Sequence, residues 1–154
     1  TVLLGKNYTC QIMNQPPSLK SVGSRLMLTL PSQQQQVAQV ENFVSYVFSK
    51  FEIKRETYGN VLISLTEAVN NAIIHGNEKD KSKKVQISFE RRNRDVAFKV
   101  SDEGNGFDYK NLPDPTAPEN ICECGGRGVF LMQQLCDALS YTNKGRTVEM
   151  RFKV

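Results

Sequence analysis

The chain has 154 residues, the size of one ordinary domain. Hydrophobic residues make up 39% and charged residues 23%, a globular balance, and 20 basic against 16 acidic side chains leave a net +4. That excess is too mild, without a basic cluster, to argue for nucleic acid, and no apolar run approaches the ~18–20 residues of a membrane span.

The opening residues TVLLGKNYTC lack the apolar core of a secretory signal, so a cytoplasmic protein is expected. Cys10, Cys122, Cys124 and Cys136 suit neither a compact disulfide scaffold nor a zinc site, since a single His is present to help. They read as free thiols in a reducing compartment.

Residues 1–24 read as an irregular extension broken by Pro16 and Pro17, followed by one domain over residues 25–154. RLMLTLP (Arg25–Pro31) alternates as a strand with Leu26, Leu28 and Leu30 on one face. Ser32 is a plausible N-cap for the next element. Between residues 33 and 51, Val37, Val40, Val44, Val47, Phe48 and Phe51 recur at helical intervals. A second amphipathic helix is expected over residues 56–75, stopped by Gly76 and Asn77.

VQISFERR and DVAFKVSD then alternate as two strands, joined at Asn93–Arg94 into an antiparallel hairpin. Residues 107–124 show no periodicity and carry Pro113, Pro115 and Pro118. So long a connection is commonly a functional lid. A short helix over residues 128–136 and a closing hairpin around Asn143, Lys144 and Gly145 complete the chain. The expected fold is a two-layer α+β sandwich, a mixed and mostly antiparallel sheet with helices on one face.

Three motifs carry chemistry. Glu67, Asn71 and His75 are spaced four apart and share one helix face, where a carboxylate beside an amide can hold hydrated Mg²⁺ and orient an attacking oxygen. Two such residues alone are more often a solvated helix face. Asp102, Gly104 and Gly106 form D-x-G-x-G at a strand exit, where the acid can accept a hydrogen bond from an exocyclic amine and the glycines allow close approach. A plain glycine turn is the bland reading. Gly126, Arg127 and Gly128 open a helix, whose free N–H groups suit phosphate, with Arg127 adding charge.

In this order the three motifs, with the intervening lid, resemble the GHKL ATPase superfamily, which includes gyrase, histidine kinases and the anti-sigma serine kinases. The resemblance covers roughly residues 25–154. It implies ATP and Mg²⁺ as cofactors, Glu67 as general base and Asn71 as the metal ligand. It also implies Asp102 on the adenine amino group, Gly104 and Gly106 shaping that pocket, and Gly126, Arg127 and Gly128 on the phosphates. His75 falls where the family often has a histidine and reads as a helix-end hydrogen-bonding residue; Asn70 lies off the functional face.

The run EAVNNAIIHG (residues 67–76) is especially similar to the bacterial anti-sigma serine/threonine kinases. That likeness implies a homodimeric kinase that phosphorylates a small STAS-type anti-anti-sigma protein and also binds a sigma factor, without touching nucleic acid or membrane. The alternative is a non-catalytic ATP-binding module that switches partners.

Overall fold

A computed structural model describes residues 18–111 and 124–154, apart from the side chains of residues 124–126. The lid expected over residues 107–124 therefore lies largely outside the described residues, as do Cys10 and Cys122.

Among the described residues, six strands form one sheet in the order β1-β2-β3-β4-β6-β5. They are β1 (Leu19–Val22), β2 (Arg25–Pro31), β3 (Lys84–Arg91), β4 (Asp95–Ser101), β5 (Ala138–Thr142) and β6 (Thr147–Lys153). Every neighbouring pair is antiparallel, so the sheet is not mixed. Three α-helices among the described residues, α1 (Ala38–Lys50), α2 (Tyr58–Asn71) and α3 (Cys124–Leu135), complete the two-layer α+β architecture.

Register explains the layering. Leu26 stands opposite Phe89, Leu28 opposite Ile87 and Leu30 opposite Val85, while Phe98 stands opposite Phe89 on one side and Met150 on the other. Side chains alternate across a strand, so these rows give one continuous apolar face. Val40, Phe43, Val44, Val47 and Phe48 of α1 and Val61, Leu65, Ala68 and Val69 of α2 are buried in the same core. Each such side chain contributes about 1.5–3 kcal/mol on burial. Edge-on aromatic packing, such as Phe43 against Phe98 at 6.4 Å, ties helix to sheet. The opposite face is polar, laced by ion pairs from Arg25 through Glu90, Arg92 and Glu149 to Lys99.

Two expectations are corrected. The extension over residues 1–24 is not irregular throughout, because Leu19–Val22 pairs with β2 across a tight turn at Gly23 (φ +60°) and Ser24. Only Leu19 of that strand is buried, which leaves no alternating pattern to read. The third helix begins at Cys124 and not at Gly128, so the Gly126–Arg127–Gly128 run lies inside its opening turns.

Candidate functional site

The helix α2 does not stop cleanly. After Asn71 it opens into a π-type turn over Ala72–Gly76, with the Asn77 N–H reaching the Ala72 carbonyl at 2.7 Å. Such turns insert one extra residue and recur at functional sites. Here the widened turn brings Gly76 against the end of β4. A β-carbon on Gly76 would overlap the Asp102 carboxyl group, and one on Gly104 would overlap the Gly76 carbonyl oxygen. Only glycine fits on both sides of that contact.

Asp102 leaves β4 at the wall of a cavity of about 170 Å³. The cavity is lined by Asn71 and Ala72 from α2 and its turn, Val129 and Met132 from α3, Val148 from β6 and Tyr141 from β5. His75, Gly106, Phe107 and Arg146 complete its rim. The lining is mostly apolar with a few convergent polar groups, the usual character of a small-molecule site. Tyr141 is partly buried against Tyr109 (ring centroids 5.3 Å apart, stacked) and Phe107 (5.1 Å, edge-on), and this burial pushes its pKa up to about 12.

The Asp102 carboxylate accepts the Gly104 N–H at 2.8 Å on Oδ1. Its Oδ2 has no hydrogen-bond partner among the described residues. Burial raises its pKa, against the Gly104 bond and the charges of Arg146 and Lys83, which lower it. The result is a poorly solvated acceptor facing an apolar slot, suited to a planar ligand bearing an N–H donor.

Not every expected residue lines this cavity. Asn71, Asp102 and Gly106 do. Gly104 does not; it stands behind Asp102 and fixes that side chain. Gly106, at φ +80°, packs against the Lys144 backbone and passes the chain on to Phe107, whose N–H donates to the Lys144 carbonyl at 3.0 Å.

Glu67 and Asn71 converge on α3. A β-carbon at Gly128 would lie 3.0 Å from Glu67 Oε2 and 3.1 Å from Asn71 Nδ2. Gly128 thus sets the distance between the two helices. Arg127 is exposed beside it, and Gly126 lies one turn-position earlier on α3. A helix leaves the N–H groups of its first turn unbonded within itself, here including those of Cys124 to Gly126. His75 is exposed at the cavity rim, and its side chain makes no hydrogen bond among the described residues, contrary to the helix-end bonding role expected. Cys136 is a free thiol whose S–H donates to the Met132 carbonyl at 2.8 Å, and burial raises its pKa.

Sequence reasoning passed over Tyr141, Tyr109 and Asn77. Tyr141 read only as part of the closing hairpin, and Asn77 only as a helix stop. The signal available for Asn77 was its place directly after a glycine and a histidine at a helix end, where a polar side chain often bonds across to a neighbouring segment.

An antiparallel sheet with helices on one face, a cavity at the end of β4 and an acid followed by glycines at its wall define a nucleotide-binding ATPase class. Comparison with known families agrees: the model of the histidine kinase-like ATPase domain matches residues 30–152. The chain belongs to that family. Among individual proteins, it is 30% identical over 131 residues to the serine-protein kinase RsbW of Staphylococcus aureus (strain bovine RF122 / ET3-1), covering 80% of this chain and 82% of that one. It is 27% identical over 140 residues to the serine-protein kinase RsbW of Staphylococcus epidermidis, covering 86% and 88%. Among the described residues no helix is long and apolar enough to cross a membrane.

Proposed function

We propose that this chain is an ATP-dependent serine/threonine protein kinase. Its substrate would be a small STAS-type anti-anti-sigma protein, and it would also hold a sigma factor, so that phosphorylation switches partners. The observation that carries the reading is the convergence of Glu67 and Asn71 on Gly128, beside a cavity walled by Asp102. The likeness to serine-protein kinases over most of both chains supports it.

In this reading the adenine ring enters the cavity between Met132 and Tyr141, and its exocyclic amine donates to Asp102. The triphosphate runs toward the opening of α3, where the N–H groups of Cys124 to Gly126 and the Arg127 side chain receive it. The Asn71 amide oxygen is the hard oxygen donor that would hold hydrated Mg²⁺ alongside phosphate, leaving the Glu67 carboxylate free as a base. Bound there, the ion would neutralise charge on the transferred group.

Glu67 takes the proton of the acceptor Ser or Thr hydroxyl. The freed oxygen forms a bond to the γ-phosphorus, the bond from that phosphorus to the β–γ bridging oxygen breaks, and ADP leaves. Positioned general bases contribute about 10²–10⁴-fold. Homodimerisation and a cytoplasmic location belong to the same proposal.

The test is phosphate transfer from γ-labelled ATP with Mg²⁺ into a lysate of the source organism, comparing wild type with Glu67→Gln. A small protein labelled by wild type alone supports the kinase. Absence of labelling while both forms bind ATP would replace it with the non-catalytic partner switch.

A further inference from the structure

Asn77 has no solvent exposure, yet it is polar and follows directly on the π-type turn. Its side-chain carbonyl accepts the N–H of Glu103, 26 positions further along the chain, at 2.8 Å. Its side-chain amide donates to the carbonyl of Lys84, at the start of β3, at 3.0 Å. Its backbone N–H donates to Ala72, and its carbonyl accepts the Asp80 N–H at 2.9 Å. A residue that merely ended a helix would need neither side-chain bond.

The consequence for Asp102 is geometric. The Asp102 N–H donates to the Arg146 carbonyl at 3.0 Å, which fixes the peptide before it. The Glu103 N–H belongs to the peptide after it, and Asn77 fixes that one. Glu103 is held a second time, its Oε2 accepting the Lys84 N–H at 2.6 Å. With both flanking peptides anchored and Gly104 bonded to Oδ1, the direction of the carboxylate is set before any ligand arrives.

We propose that Asn77 is a positioning residue for base recognition, joining the end of α2 to the Asp102 turn so that Asp102 points at the exocyclic amine of a bound purine. The proposal rests on the reading of the cavity as the adenine site. Asn77 touches no ligand; it acts through Asp102. Because the same residue continues the helix that carries Glu67 and Asn71, base recognition and the phosphate end share one anchor.

The experiment compares ATP with purine riboside triphosphate, which lacks the exocyclic amine, for binding to wild type, Asn77→Ala, Asn77→Asp and Asp102→Ala, with thermal melting of each. Wild type prefers ATP, since a site built around an N–H donor rejects the analogue lacking it. A folded Asn77→Ala protein loses that preference, ATP affinity falling on the order of tenfold while analogue affinity holds. Asn77→Asp retains the acceptor for Glu103 and keeps most of the preference.

Equal loss for both nucleotides, or an unchanged preference, overturns the proposal. Should Asn77→Ala fail to fold, amide exchange in wild type decides. Slow exchange at Glu103, slowed further by ATP but not by the analogue, supports the anchor, and loop-like exchange there refutes it. A loss in Asp102→Ala with none in Asn77→Ala removes the role of Asn77 alone. A wild type that binds neither nucleotide removes the adenine reading as well.

Discussion

Glu67 on α2 and Gly128 on α3 approach so closely that a β-carbon at Gly128 would sit 3.0 Å from Glu67 Oε2. Asn71 Nδ2 is at 3.1 Å from the same point. Contacts that tight require the neighbour to give way, and here the neighbour is the end of a flexible side chain. Gly128→Ala therefore displaces the carboxylate more than the helix. Stability changes by no more than about 1 kcal/mol, because alanine's better helix propensity offsets the crowding. Turnover falls on the order of 10²-fold, as expected when a reacting group moves by a fraction of an ångström to one ångström. Melting curves and steady-state transfer rates on the same preparation separate the two effects.

Gly104 offers no such latitude. Its Cα faces the Gly76 carbonyl, a backbone atom that cannot swing aside. Gly104→Ala should cost more than about 2 kcal/mol by forcing β4's exit away from α2. Denaturant titration should show the lowered midpoint, and nucleotide binding should be lost with it.

Asp102 is held at a cost. Burial raises its pKa above that of the unfolded chain, so folding disfavours the charged form. The associated stability is fully present below the unfolded value, near 4, and is lost as pH rises through the folded value. Asp102→Asn removes that loss and keeps an oxygen for the Gly104 N–H. It should melt no lower than wild type at pH 7, with an advantage that shrinks on acidification to pH 4. Its ATP affinity should nonetheless fall, because an amide N–H then opposes the amine.

Glu149 behaves in the opposite sense. Burial alone would raise its pKa, but hydrogen bonds from Arg92 and Lys99 outweigh that and hold it below the usual value. Its contribution is present above the unfolded pKa and disappears as pH falls through the folded one. Glu149→Gln should cost less than about 1 kcal/mol at pH 7, the pair being partly exposed, and less still at pH 3. Nucleotide binding should be untouched, since Glu149 faces away from the cavity on the polar side of the sheet. Chemical denaturation at the two pH values checks the difference.

Much of this was legible before any coordinates. Strands such as β2 and β3 bury one face and expose the other, so Leu26, Leu28 and Leu30 announce themselves by alternation. The helix α2 does the same with Val61, Leu65 and Val69. β1 gave no such pattern, because it buries Leu19 alone. The start of α3 was misplaced because Gly125, Gly126 and Gly128 are poor helix formers, and local propensity argues against them. The close fit against Glu67 and Asn71, where a larger residue would collide, gives Gly128 its place and could not be read from propensity. Asp102 was visible as a strand-end acid, but the π-type turn that brings Gly76 to it was not, since it closes the helix and the polar residues after it carry no apolar phase to shift.

The central claim divides the work between two carboxylates, Asp102 holding the base and Glu67 moving the proton. The most direct test measures phosphate transfer onto a purified STAS-domain protein as a function of ATP concentration for wild type, Glu67→Gln and Asp102→Asn. The account predicts that Glu67→Gln lowers kcat by about 10²-fold or more with KM for ATP little changed, whereas Asp102→Asn chiefly raises KM. A Glu67→Gln protein that transfers phosphate at the wild-type rate, or an Asp102→Asn protein with an unaltered KM, would contradict it.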